Sequence, residues 1–418
     1  MDKEIIKRLI SEKQAEIASI KLVRRPMELE STSNYVFVGL RRAGKSYMMY
    51  QYIQDMIRAE RISMDEVLYV NFEDERLALI KAQDLGLLLD AYMEMFDLKP
   101  FIFLDEIQNI TGWEKFARRL ADSKYRVFIT GSNAQMLSKE IYTTLGGRFI
   151  AHEVFPFSFR EFLTYHNVSL GKNWEYNESR LQVIKQFRSY FYYGGFAESF
   201  AMNDKRSWLN SLYQKILLGD IISRNEIRNE NAIRVLVKKL AESVMQPSSL
   251  SRMKNIVDAT GTTISRNTLI DYLQYLTDAF LVFGISNFSD KLSEKETFKK
   301  RYFYDNGLLN IYLLDPETKL LENLIAIDLK KKYGDDLFFY HKNIEVDFFV
   351  PQERRAVQVS YSMANDTTRQ REITALLKLS EFYGLDTLEI VTYDEESTVQ
   401  QNGTTIRIVP AWKWLLIQ

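Results

Sequence analysis

The chain has 418 residues, 55 Lys and Arg against 56 Asp and Glu, a formal charge of -1 and no cysteine. That length suggests two or three domains, and the charge balance excludes a strongly basic protein, though not a locally basic face. The lack of thiols excludes disulfides, thiolate nucleophiles, iron–sulfur clusters and Cys-based zinc sites, and with 3 histidines a His-rich metal centre is not expected.

The first residues are charged at once (Asp2, Lys3, Glu4), so they carry no signal-peptide pattern. The longest apolar runs are of strand length, well short of the roughly 20 residues a membrane span needs. A cytoplasmic protein without a membrane span is expected. Residues 1–30 are polar with a weak helical pattern (Ile6, Leu9, Ile10, Ile17) and read as a helical arm.

The run Tyr35-Val36-Phe37-Val38 has the apolar continuity of a buried parallel strand. It leads into Gly39-Leu40-Arg41-Arg42-Ala43-Gly44-Lys45-Ser46, a complete GxxxxGK(S/T) match, and an amphipathic segment opens at Tyr47. In such a strand–loop–helix the glycines let backbone N–H groups face phosphate oxygens at a helix N-terminus. Residues 39–47 are therefore the expected ATP/ADP-binding loop, with Lys45 on the β/γ-phosphates and Ser46 on Mg²⁺.

Further strands are predicted over 67–72, 101–104, 126–130 and 149–154, with helices between them, a three-layer α/β unit. The third run ends in Asp105-Glu106. Asp105 is placed to hold water on Mg²⁺ and Glu106 to polarise the attacking water, with Gln108 close behind. After the fourth run, Thr130 or Ser132 is the expected γ-phosphate sensor, and the sequence does not choose between them. Arg148 is a candidate to reach a γ-phosphate, its own or a neighbouring subunit's, with a structural salt bridge as the alternative.

At this point the residues carry a family resemblance. The P-loop, FIFLDEIQ (101–108), ITGSNA (129–134) and LGGRF (145–149) resemble AAA+-like prokaryotic ATPases of the ASCE type. HEVFPFSFREFL (152–163), YYGGFAE (192–198), GDIISRNEIRN (219–229) and YFYDNGLLN (302–310) resemble the group that joins such a domain to a C-terminal DUF4143 domain. The resemblance implies an ATPase core, a winged-helix-like middle and a restriction-endonuclease-like α/β end. The expected division is 1–30 arm, 31–155 ATPase core, 156–230 helical connector or lid, 231–300 winged-helix-like and 301–418 DUF4143-type.

In the middle, Ser265 is read as the cap of a helix presenting Arg266, Asn267 and Thr268, followed by a β extension carrying Lys299, Lys300 and Arg301. One Arg on the helix is thin for DNA, so protein docking is favoured over DNA contact. The end resembles a PD-(D/E)xK nuclease fold, in which a helix acid, a hairpin Asp and an ExK pair would hold Mg²⁺. Glu322, expected to open a helix, and Asp347 fit the first two positions. Gln358-Val359-Ser360 departs at the third, offering neither carboxylate nor lysine, so a degenerate, inactive site is expected. The main reading is an ATP-dependent switch acting on the C-terminal domains. The others are an ATP-regulated DNA-binding module and a nucleotide-binding protein-interaction scaffold, self-associating or bound to a client.

Overall fold

Each short apolar run that reads as a strand before residue 155 joins one parallel sheet in the computed structural model, which describes residues 2–134, 143–401 and 403–417. The strands are β1 (Asn34–Val38), β2 (Val67–Asn71), β3 (Phe101–Asp105), β4 (Arg126–Gly131) and β5 (Phe149–Glu153), in spatial order β2-β3-β4-β1-β5. Every residue of β1 is buried, as a parallel strand flanked on both sides requires. The helices are α1 (Lys3–Ser19), α2 (Lys45–Arg58), α3 (Gly86–Met95) and α4 (Trp113–Asp122). The arm helix α1 packs on α3 and β2. Trp113 and Phe116 face the core.

Register aligns Tyr35, Phe128, Phe103 and Tyr69 across four adjacent strands. Their rings stack in a row, with centroids 6.2, 4.8 and 6.2 Å apart. Such pairs add about 0.5–1.5 kcal/mol each beyond simple burial. Tyr52 of α2 lies over Phe128 at 4.6 Å, so the row seats the helix that begins at the P-loop.

The chain divides into two compact units, Met1–Phe155 with Asp278–Phe280, and Pro156–Thr277 with Leu281–Gln418. The second begins with α5 (Phe159–Tyr165), whose Ser158 and Glu161 form a reciprocal N-terminal cap. Phe159, Phe162, Phe187 and Tyr190 pack together between α5 and α6 (Glu178–Tyr193). Helix α7 (Lys205–Lys215) continues as a wider π-helical stretch over Ile216–Ser223, where buried Asp220 pairs with Arg224 at 3.5 Å.

Three helices follow, α8 (Glu230–Glu242), α9 (Leu250–Asp258) and α10 (Arg266–Asp278), with a two-residue strand β6 (Ser248–Ser249) before α9. The Ser265 hydroxyl caps α10 by accepting from Thr268 N at 3.0 Å. Strands β7 (Val282–Asn287) and β8 (Phe298–Phe303) then form an antiparallel hairpin, and β6 pairs with β8.

This hairpin belongs to a larger sheet. With β6, β9 (Phe338–His341), β10 (Glu345–Val350), β11 (Arg355–Val359), β12 (Thr387–Thr392), β13 (Ser397–Gln401) and β14 (Thr404–Pro410) it makes nine strands in the order β13-β14-β12-β11-β10-β9-β7-β8-β6. The expected boundary after residue 300 therefore falls inside β8, and β7 pairs in parallel with β9. Helix α11 (Glu317–Tyr333) starts five residues before Glu322, just after Pro316, so Glu322 lies inside the helix rather than opening it. Helices α12 (Asp366–Tyr383) and α13 (Ala411–Ile417) complete the unit, Trp414 being fully buried.

Glu389 on β12 is wholly buried and accepts from Arg355 Nε at 3.1 Å, Arg407 Nη2 at 2.6 Å and Trp414 Nε1 at 3.3 Å. Removing one partner of such a group leaves a buried charge uncompensated. Glu389→Ala should destabilise the protein by about 3–5 kcal/mol, read as a lower urea midpoint of the second unit, because Arg355 loses its carboxylate. An unchanged midpoint would contradict this account.

Candidate functional site: a nucleotide-binding loop and its acidic partner

Strand β1 ends where the loop begins, and the backbone leaves regular geometry at once. Gly39 has φ 149°, and a Cβ there would lie 2.2 Å from the Val154 carbonyl oxygen. Val154 is fixed by its N–H bond to Val38 O at 2.7 Å, so the approach cannot relax easily. Gly44 adopts φ 96° and caps α2, leaving the first N–H groups of that helix aimed out of its end, where a phosphate is favoured. Arg25, which the sequence did not single out, braces the loop from behind. Its Nη1 donates to Ala43 O at 3.0 Å and its Nη2 to Phe155 O at 2.8 Å, while Gln51 bonds its backbone at both ends.

Lys45 is buried and donates to the carbonyls of Gly39 at 3.1 Å and Leu40 at 3.2 Å, with Glu106 Oε1 3.7 Å away. Arg41 pairs with Glu73 at 3.2 Å, and Tyr47 stays largely exposed.

The sheet delivers the acidic partner. Asp105 follows Phe103 by two residues and Thr130 follows Phe128 by two, so both share the face of the aromatic row under α2. Asp105 Oδ1 accepts from Ser46 Oγ at 3.0 Å and from Thr130 Oγ1, and Oδ2 accepts from Tyr69 OH at 2.7 Å. Tyr69 was not expected here; its value depends on a cross-strand register that sequence spacing does not display. Burial, then the neighbouring Glu106 charge, push Asp105 above the usual carboxylate range against those three hydroxyls.

Glu106 takes the left-handed conformation (φ 54°), with its N–H donating to Thr130 Oγ1 at 2.8 Å. Its Oε2 accepts from the Gln108 amide. Burial opposes its ionisation, but the Lys45 charge, the Gln108 amide, Arg41 and Ser132 outweigh it and hold Glu106 below its ordinary value. Ser132 is buried near Glu106, yet its hydroxyl meets no partner at hydrogen-bond geometry. An all-oxygen pair of hydroxyl and carboxylate, Ser46 with Asp105, suits Mg²⁺.

Arg148 does not join this group. It precedes β5, whose first residue pairs with Asn34 at the start of β1, and its backbone oxygen accepts from Asn34 Nδ2 at 3.2 Å. The P-loop lies beyond the other end of β1, five residues and about 16 Å along the strand. The guanidinium pairs with Asp122 at 2.5 Å and with the Gly146 carbonyl at 3.2 Å. Reach to the γ-phosphate of its own chain is thus closed by strand polarity.

The expected nuclease-like residues are brought together in part. Glu322 on α11, Asp347 on β10 and Gln358 on β11 share one cavity wall in the second unit. Ser360 turns aside and donates to Ser362 O at 3.0 Å. Burial and the Asp347 charge raise Glu322 above its ordinary value. Lys300, expected on a wing, is fully buried among these acids. Burial works against its charge, but Asp347, Glu322 and Glu345 outweigh it and raise it.

Fold and loop define a P-loop ATPase domain of the AAA class, and residues 31–163 match the AAA domain family model. The chain belongs to a family with two curated relatives across most of its length. It is 35% identical to Uncharacterized protein MJ1544 of Methanocaldococcus jannaschii over 100% of this chain and 96% of that one. It is 31% identical to an Uncharacterized protein of Haemophilus influenzae over 83% of this chain and 86% of that one. Residues 184–319 match a domain of unknown function, DUF8612, which corrects the DUF4143 assignment that the resemblance implied. Among solved structures, the Walker-type ATPase PABY2304 of Pyrococcus abyssi is 16% identical with a TM-score of 0.41, over 74% of this chain and 95% of that one. Among the described residues, no helix is long and apolar enough to cross a membrane.

Gly39→Ala should destabilise the nucleotide-free first unit by about 2–4 kcal/mol, through the collision with Val154 O and the unfavourable φ. Thermal unfolding of the two proteins without nucleotide checks this. Equal melting temperatures would mean that the loop is not held as described.

Proposed function

We propose that this protein binds ATP with Mg²⁺ at the P-loop and hydrolyses it, and that nucleotide state gates a rearrangement of the C-terminal domains. The observation that carries the reading is the convergence of Ser46, Thr130 and Tyr69 on Asp105, with Glu106 beside Lys45.

On this reading Lys45 exchanges the carbonyls of Gly39 and Leu40 for the β/γ-phosphates, and the N–H groups of 39–46 cradle them. Ser46 and Asp105 hold Mg²⁺, which when bound neutralises charge on the phosphate oxygens. Glu106 is kept ionised, and its Gln108 contact fixes one oxygen so that the other can orient water and draw off a proton. The Thr130 hydroxyl is already committed to Asp105 and to Glu106 N–H, whereas the buried Ser132 hydroxyl lies close to Glu106 but meets no partner at good hydrogen-bond geometry among the described residues. That difference favours Ser132 as the group that senses the γ-phosphate, with Thr130 as the brace between the two acids. Arg148 acts only in trans, if a second copy supplies it.

The middle segment of three helices and a hairpin supports a winged-helix-like module, and the mixed sheet with α11 and α12 supports a nuclease-like ancestry. The DNA-binding alternative has less behind it. Of the basic run Lys299–Arg301, Lys300 is wholly buried, and Arg301 Nη1 is buried without a hydrogen-bond partner. A nucleotide-binding scaffold with little turnover remains the rival reading.

Steady-state Mg·ATP hydrolysis by wild type and Glu106→Gln, over a range of protein concentrations, separates these readings. Slow turnover that falls at least about 100-fold in Glu106→Gln, with a fluorescent ATP analogue still bound, is the expected result. Equal turnover in both proteins would remove Glu106 from the mechanism. Tight binding with no turnover in either favours the scaffold. Specific activity rising with concentration would support an arginine given in trans.

A further inference from the structure

A cavity of about 1470 Å³ in the second unit has Glu322, Glu345, Asp347, Gln358 and Glu372 in its wall. The resembling nuclease folds bind Mg²⁺ at such a place, so the residues present can be tested against a divalent ion. They do not fit one. The third-position carboxylate is replaced by Gln358, whose Oε1 accepts from Asp347 N at 2.6 Å and whose amide nitrogen donates to Glu372. Asp347 Oδ2 is taken by Val359 N at 3.0 Å, and Glu322 Oε1 by Tyr302 OH at 2.7 Å.

The same carboxylates face an ammonium group. Lys300 Nζ lies 2.9 Å from Asp347 Oδ1, 3.1 Å from Glu345 Oε1 and 3.5 Å from Glu322 Oε1, and its side chain is 0% exposed. An ammonium has three donors and no acceptor, which matches three carboxylates around one point. The Asp347 contact is an N–H···O bond and the other two are ion-pair contacts, whereas Mg²⁺ demands oxygens at about 2.0–2.1 Å in octahedral array. A dication among the same oxygens would also sit against a fixed positive charge.

The source of the lysine is informative. In the resembling motif it stands two residues after the acid on the strand, a position held here by Ser360. Lys300 instead comes from β8, and Tyr302, two residues on and on the same face, supplies the hydroxyl that holds Glu322.

We infer that Lys300 is the resident cation of this centre, its ammonium standing where a divalent metal would be held. The C-terminal unit is then a metal-independent ion core that ties β8 to α11 and β10. The centre is not a phosphodiester-cleaving site. This inference is independent of how the nucleotide site is read.

A corollary makes the idea testable, because taking away the lysine frees a nest of carboxylates that a tolerant cation can enter. Nucleotide-free full-length protein is titrated with Mn²⁺ by calorimetry, as wild type, Asp347→Asn, Lys300→Ala and the Lys300→Ala/Asp347→Asn double variant. The expected result is that wild type and Asp347→Asn titrate alike, which removes any contribution of the P-loop. Lys300→Ala then gains one Mn²⁺ site at least tenfold tighter than anything in wild type, and the double variant loses it. If Lys300→Ala does not fold in chelator, recovery of its cooperative melt by Mn²⁺ supports the inference, and no recovery overturns it. Mn²⁺ binding in wild type that disappears in Asp347→Asn also overturns it, as does a folded Lys300→Ala that gains no site.

Discussion

The first unit is organised around one carboxylate with nowhere to put its charge. Asp105 is buried at the end of a central strand, and it is tolerable there only because hydroxyls from three other elements converge on it. Ser46 brings the P-loop helix, Thr130 the neighbouring strand and Tyr69 the strand on the other side. The parallel register that stacks four aromatic rings sets these hydroxyls in reach. Packing and chemistry therefore share one cause: the face that seats α2 is the face that gathers the acids.

The same constraint recurs in the second unit with a different solution. Glu389 and Glu322 are buried acids and Asp347 beside the latter is half-buried, and each is answered by a cation rather than by hydroxyls alone, Arg355 and Arg407 in one case and Lys300 in the other. Breaking such pairs is costly, while their net contribution to stability is modest. Their value is in specifying geometry. Lys300 can meet its acids only if β8 is in register beside the C-terminal sheet.

The P-loop, Asp105 and Glu106 were legible in the sequence because each is a short contiguous pattern with a fixed strand or helix beside it. Tyr69, Arg25 and Lys300 were not, because each acts through a neighbour far away in the chain, and a lone Tyr, Arg or Lys carries no spacing signal. Arg148 is the converse case, since the sequence left a reach in cis, a reach in trans and a salt bridge all open. A short GGR segment invites a catalytic reading, and only strand polarity reveals that it lies at the wrong end of the sheet. The choice between Thr130 and Ser132 likewise rests on which hydroxyl is already bonded, a fact absent from the one-dimensional string.

By itself, then, the sequence determined a cysteine-free chain, an ATPase core of alternating strands and helices, a nucleotide loop with its acidic partner, and a mixed α/β end. These follow from composition, hydrophobic period and local motif, all short-range properties of the chain. Tertiary structure alone decided that the hairpin at 282–303 joins the C-terminal sheet and that a lysine from it fills the acidic centre. The reason is physical: buried charges are balanced in space, and the partner that balances one is chosen by strand register and packing rather than by distance along the chain.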